Sequence, residues 1–331
     1  MNAKNLLTTI DTHTEGGPTR IITGGIPRLY GKTIAEKMNY FKKNYDDLRK
    51  LLMYEPRGYG GMFGVVITEP SEPEADVGVF FLTHSGYLNM CVHSAIGVAT
   101  ACLETGIIRE PKKDRPVKLD TPVGLICLYP NYEEKQLKSV TIQTNPAFVH
   151  TEGDYLDIGF ATPLKVSLVF SGVFFVLLDV KQLKMKICRE RIPELMRIGV
   201  KMLEVANQTF LVKHPDNPDI NTIELAMLYE DIERLRTCSV VVSRAGSLDR
   251  SPCGAGTGGK MTYLFVSKKL ELNEDYVNQS VYGMKFEGRL VEPVNVGSYS
   301  GAVPKISGSA YLTGFHKFVL EKHDPLITGL L

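Results

Sequence analysis

The chain has 331 residues, 44% hydrophobic and 23% charged, and its 38 Lys and Arg against 37 Asp and Glu give a formal charge of +1. That length is too great for one small core and predicts two domains, while the near-zero charge argues against a general nucleic-acid or anionic-membrane binder. No apolar run approaches the roughly 18 residues of a membrane span, and residues 1–10 lack the apolar stretch of a secretory signal.

Residues 10–22 read as a strand, a turn at Gly16-Gly17-Pro18 and a second strand. His13 and Arg20 there could reach a ligand or simply satisfy the end of a sheet. Residues 33–54 begin with a capping-box pair, Thr33 and Glu36. Ile34, Met38, Phe41, Tyr45, Leu48 and Leu52 then form an apolar stripe at spacings of three and four. This predicts a scaffold helix with its lysines and aspartates in water. A glycine-crowded turn over 55–64 leads to a short strand, and the apolar run 76–82 predicts a buried one. Residues 86–106 run strand, turn, cysteine, helix. Cys91 stands at the helix start with His93 two residues on, and Ser94 is a candidate N-cap. Ala95, Val98, Ala99 and Cys102 make a small-residue helix that could pack centrally, closed by Gly106.

The turn at 120–124 marks a domain crossing near 122–140. Strands follow at 140–145, 165–170 and 171–179, and then an amphipathic helix at 192–208. That helix has Pro193 in its first turn and Leu195, Ile198, Met202 and Val205 as its stripe. The β-branched run 238–243 precedes Asp249-Arg250-Ser251-Pro252-Cys253-Gly254, a glycine-rich turn and the apolar segment 261–266. Further strand–turn segments lie at 282–289 and 303–314, and the tail 315–331 has strand and loop composition. Each half therefore offers strands, a long helix, more strands and a cysteine at a strand-to-helix turn. The two cysteines stand about half the chain apart, as in an internal duplication.

A thiol at a helix N-terminus is favoured as thiolate by the dipole and the unpaired amides. Taken alone, Cys253 also fits a buried structural cysteine beside a loop. The six cysteines at 91, 102, 127, 188, 238 and 253 show no CxxC and no dense framework, which predicts reduced thiols in a cytoplasm. Two equivalent thiols suit inversion at a carbon bearing hydrogen, one removing a proton from one face while the other delivers a proton to the opposite face. The helix termini would bind a carboxylate and the charge that develops on it. Rival chemistries find less support. A cysteine hydrolase would need its base within reach, and residues at i and i+2, such as Cys91 and His93, seldom face each other on a helix. A zinc site would need a further ligand pair. The run 254–259 lacks both the GK[ST] ending of a phosphate loop and the spacing of a dinucleotide fold.

These motifs resemble the proline racemase family, which includes proline racemases, hydroxyproline 2-epimerases and trans-3-hydroxyproline dehydratases. The resemblance runs through residues 11–20, Glu55-Pro56-Arg57-Gly58, Asn89-Met90-Cys91-Val92-His93, residues 249–254 and residues 306–314. It implies an α+β, diaminopimelate-epimerase-like fold with two pseudo-symmetric domains, each a curved β-sheet around a central helix. Residues 1–125 with about 298–331 would form the first domain and 126–297 the second, with the active site in the cleft between them. It further implies catalysis without cofactor or metal, Cys91 and Cys253 as the acid–base pair, His93 and Asp249 at the substrate's ring nitrogen, and the amides of Val92, Gly254 and Ala255 at its carboxylate. The expected partner is a small-molecule substrate, proline or hydroxyproline, with neither nucleic acid nor membrane involved; a homodimer is compatible with the resemblance. Family dehydratases commonly replace one cysteine by Ser or Thr, so two retained thiols point to racemisation or epimerisation. The alternatives are dehydration of trans-3-hydroxy-L-proline and a catalytically silent amino-acid-binding protein. Val92, Ser94, Ala255 and Tyr59 depart from the family's usual residues, which leaves open the choice between proline and hydroxyproline.

Overall fold

The computed structural model describes residues 5–109, 115–321 and 323–330; the first four residues of the stretch read for a signal lie outside them. Packing divides the chain into two compact units, residues 1–142 with 308–331, and residues 143–307.

The first unit opens with β1 (Asn5–Thr14) and β2 (Gly17–Gly24), an antiparallel hairpin. Its turn is Glu15-Gly16, at φ 44° and 89°, and Gly17 and Pro18 already belong to β2. Two successive left-handed residues give the turn whose twist matches the flanking strands, so the hairpin closes earlier than the glycine pair indicates. Next comes α1 (Ile34–Met53), capped by Thr33, whose hydroxyl accepts from the Glu36 amide at 3.2 Å. Ile34, Met38, Phe41 and Leu52 are buried as the stripe requires. So are two of its charges, Lys37, which was expected in water, and Arg49. Lys37 donates to the Glu69 carbonyl. Arg49 donates to the carbonyls of Thr83 at 3.1 Å and His84 at 2.8 Å, and to Asp46 at 2.7 Å.

Strand β3 (Phe63–Thr68) lies parallel to β2, and β4 (Val77–Thr83), buried throughout, lies antiparallel to β3. A short strand β5 (Gly86–Leu88) leads to α2 (Val92–Glu104). Beyond it β6 (Val117–Thr121) runs parallel to β4, and β7 (Gly124–Glu133) and β8 (Gln136–Gln143) continue as an antiparallel meander. This pairing makes 120–124 a hairpin turn inside one unit, so the crossing falls after residue 142 rather than at 125.

The second unit holds β9 (Ala147–Leu156), β10 (Leu164–Ser171), β11 (Val173–Asp179), α3 (Ile192–Thr209), β12 (Ile223–Glu233), β13 (Arg236–Ser243), α4 (Gly254–Val266), β14 (Tyr276–Ser280), β15 (Lys285–Val296) and β16 (Tyr299–Gly308). From β9 each strand bonds to the next, and β16 bonds back to β9, so the strands close into a barrel. Helix α3 lays Leu195, Ile198 and Met202 against β12 and β13. Helix α4 packs against β9, β10, β11 and β15, strands from opposite arcs of the ring, and so runs inside it. Its glycines make that possible. A Cβ at Gly258 would lie 3.0 Å from Ser171 Oγ, and one at Gly259 only 2.9 Å from Val169 Cγ2. Gly258 and Gly259 therefore serve close packing of helix on strand.

The two units repeat one order. An antiparallel hairpin (β1–β2, β10–β11) is followed by a long helix (α1, α3), a strand parallel to the hairpin's second (β3, β12) and an antiparallel neighbour (β4, β13). An inner helix (α2, α4), a parallel strand (β6, β14) and a meander complete it. The last strand, β17 (Ala310–Leu320), pairs antiparallel with β1 as β9 does with β10. Among the described residues no helix is long and apolar enough to cross a membrane.

Candidate active site

Both inner helices begin at a cysteine. In the first unit Cys91 is the N-cap of α2, in ordinary extended backbone at φ −146° and ψ 115°. Ser94 is not the cap; it lies within the first turn, where Thr19 Oγ1 donates to its hydroxyl at 3.2 Å. The start of the helix is fixed to the hairpin: Thr14 Oγ1 donates to the His93 carbonyl at 2.8 Å, and Gly97 packs where a Cβ would meet Thr12 Oγ1 at 2.8 Å. Because Cys91 precedes the helix, its side chain folds back over the first turn. Its Sγ lies 3.5 Å from His93 Nδ1 and 3.9 Å from Nε2, a contact that helix-interior spacing argued against. The buried His93 ring stands edge-on to Phe63, centroids 4.4 Å apart. Burial pushes the Cys91 thiol up, but the His93 charge and hydrogen bonds from His93 and Ser94 outweigh it and hold the pKa below the ordinary thiol value.

In the second unit Cys253 caps α4 at φ 63° and ψ 107°, a left-handed conformation that a side chain adopts only when its surroundings impose it. Those surroundings are built of hydrogen bonds. The Cys253 amide donates to Ser251 Oγ at 3.1 Å, and the Ser251 hydroxyl and amide donate to Asp249 Oδ1 at 2.8 and 2.9 Å. The Cys253 carbonyl accepts from the Thr257 amide and from Thr257 Oγ1, both at 2.8 Å. The Gly256 amide donates to Cys253 Sγ at 3.4 Å, which stabilises a thiolate there. The Gly254 and Ala255 amides, in the first turn, have no carbonyl partner within the helix and can serve an anion.

The sequence matches the family model for proline racemase over residues 9–331. The chain belongs to the proline racemase family. It is 36% identical to the proline racemase of Acetoanaerobium sticklandii, over 97% of this chain and 96% of that one. It is 34% identical to the trans-3-hydroxy-L-proline dehydratase of Bacillus cereus, over 100% and 99%. Its structure is similar to that of a hydroxyproline epimerase from Agrobacterium vitis with bound trans-4-hydroxy-L-proline, at a TM-score of 0.89 and 26% identity, covering 100% of this chain and 97% of that one.

The residues singled out in this family member fall into two groups. Cys91, Val92 and His93 stand together at the start of α2, and Asp249, Cys253, Gly254 and Ala255 at the start of α4. Arg20 has another occupation. Its guanidinium donates to Asp11 at 2.9 Å, reaches the carbonyls of Leu52 and Arg57, and lies 4.4 Å from the Phe318 ring centre. His13 stacks on Tyr311 at 5.2 Å. All six cysteines are free thiols, yet their environments differ. Burial and the Asp76 charge push Cys102 up to about 12, and burial with the Glu230 charge pushes Cys238 up to about 11. Sequence reasoning passed over Thr14, Thr19, Ser239, Thr257 and Asn278. Only Ser251, two residues after Asp249, carried a local signal, the side-chain turn that Asp-x-Ser favours.

Proposed function

We propose that this protein inverts the α-carbon of proline or 4-hydroxyproline without a cofactor, using Cys91 and Cys253 as an acid–base pair. The carrying observation is that each thiol caps the inner helix at the same point of a repeated unit. One cysteine, as thiolate, takes the α-proton; the other, as thiol, gives a proton to the opposite face, and the roles exchange in the reverse reaction. The electron pair left on carbon spreads into the carboxylate, where the amides of Val92, Gly254 and Ala255 meet the growing charge. Asp249 and His93 hold the ring nitrogen. The His93 contact that favours the Cys91 thiolate would ready it for proton removal. In the same reading the repeated units make the fold diaminopimelate-epimerase-like. The free thiols fit a reducing, cytoplasmic setting, and a homodimer is compatible with the family.

The dehydratase relative favours a second reading, elimination of water from trans-3-hydroxy-L-proline. One-sided elimination needs a single base, and the second thiol then has no task. Proton NMR in D₂O decides between them. Loss of the α-proton signal from L-proline or trans-4-hydroxy-L-proline, with the inverted isomer formed, is the expected result. A protein that exchanges no α-proton but converts trans-3-hydroxy-L-proline is a dehydratase, and one that binds proline with neither reaction is a silent binder. Cys91→Ser and Cys253→Ser should each slow inversion by about 10²-fold or more; full turnover in either would remove the two-base assignment.

A further inference from the structure

Cys253 is held by a side chain that lies outside every motif of its own segment. Asn278, on β14, is fully buried, and its amide bonds on every side. Its Nδ2 donates to the Pro252 carbonyl at 2.9 Å and to Thr257 Oγ1 at 3.0 Å, and its Oδ1 accepts from Ser239 Oγ at 3.0 Å. Thr257 Oγ1 in turn donates to the Cys253 carbonyl. The peptide before Cys253 and the peptide after it are thus gripped from one point, across β13, β14 and α4. β14 brings Asn278 there because Tyr276, Asn278 and Ser280 alternate inward on a strand parallel to β13.

We propose that Asn278 is the positioning residue of Cys253, fixing through Pro252 and Thr257 the left-handed turn that aims the thiol and keeps it on the Gly256 amide. The physical case is one of compensation. A cysteine at φ 63° and ψ 107° carries backbone strain that its surroundings must offset. The turn persists only while its carbonyls are held; freed, Cys253 relaxes toward extended backbone, as at Cys91, and Sγ leaves the Gly256 amide. Among the described residues no other polar side chain gives Pro252 a hydrogen bond. The role as positioner of a catalytic base rests on the proposed function, but the thiol geometry does not, and the test separates the two.

The experiment is alkylation of the full-length protein by iodoacetamide without substrate, with the rate at each cysteine read by peptide mass mapping. In Asn278→Ala the rate at Cys253 should fall roughly tenfold relative to Cys91, because the thiolate loses the Gly256 amide. The rate at Cys91 should stay at its parent value, and buried Cys102 should stay unreactive. A Cys253-to-Cys91 ratio equal to the parent's, in protein whose Cys102 remains protected, overturns the proposal whether or not the protein racemises anything. Asn278→Asp keeps the shape but cannot donate to both Pro252 and Thr257, and should change the ratio in the same direction; a parental ratio there counts equally against it. If Cys102 becomes reactive in these variants, the same ratio in Ser239→Ala decides, since that change removes only the hydroxyl that orients the Asn278 amide. Where inversion is measurable, kcat should fall with little change in KM.

Discussion

Lys260 takes a charge into the middle of α4, among Gly, Thr, Met and Leu, and is fully buried. Its amine lies 3.2 Å from Asp231 and 3.4 Å from the centre of the Tyr229 ring. Burial pulls its pKa down to about 8, against the opposing pull of Asp231. Between about 8 and the ordinary lysine value, the unfolded chain holds this proton and the folded chain does not. The Lys260 contribution to stability therefore rises with pH across that window. Lys260→Met should be more stable than the parent at pH 7 by roughly 3 kcal/mol, an advantage that shrinks toward pH 10.5. Urea unfolding of both proteins from pH 7 to 10 measures it, and a constant difference would refute the assignment. Asp231→Asn should instead destabilise, because it leaves the buried ammonium without its counter-charge. None of this was legible in the sequence, where Lys260 stands between a glycine pair and an apolar segment with no local mark of burial. The two cysteines were legible, because a thiol between a strand and a glycine-rich helix start is a local pattern. Asn278 was not, because its partners are separated from it by 21 to 39 residues.

Among the elements, α1 and α3 followed from their apolar periods, and their starts from Thr33 and Pro193. Helix α2 announced itself differently, by small residues rather than a stripe, whereas the first half of α4 read as a glycine-rich turn and is helix from Gly254 onward. What periodicity left out was the fate of individual charges: Arg49 and Lys37 leave water because carbonyls at the ends of neighbouring segments need donors. The glycines of α4 give a test at this scale. Ala is the better helix former by about 1 kcal/mol, so propensity alone makes Gly259→Ala stabilising. The Val169 methyl at 2.9 Å makes it overpacked instead, at a cost of about 1–3 kcal/mol. A lowered urea midpoint with unchanged slope is the expected result, and a raised midpoint would mean that α4 has room to shift.

Over the whole molecule, the two units have separate apolar cores. One is built around Phe41, Leu52 and Phe80, the other around Phe148, Phe174 and Leu228. Strand β17 belongs to the first unit although it is made last, since β1 pairs along it from Asn5 to Thr14. Arg57 also holds the last segment, through an ion pair with Asp324 and a bond to the Leu326 carbonyl at 2.9 Å. Ending the chain after Gly308 should therefore unpair β1 and melt the first unit while the barrel of the second survives. Hydrogen exchange should show lost protection over β1–β4 and retained protection over β10–β13; equal loss in both would make the units one cooperative body. By itself the sequence determined the helices, most strands, the duplication and the two cysteines, since each is written in spacings of a few residues or in one motif. Only the tertiary structure decided that the strands of residues 147–308 close into a barrel, that Cys91 meets His93 and that Asn278 grips Cys253. Closure, contact and burial depend on which distant segments arrive at the same place, and no local spacing encodes that.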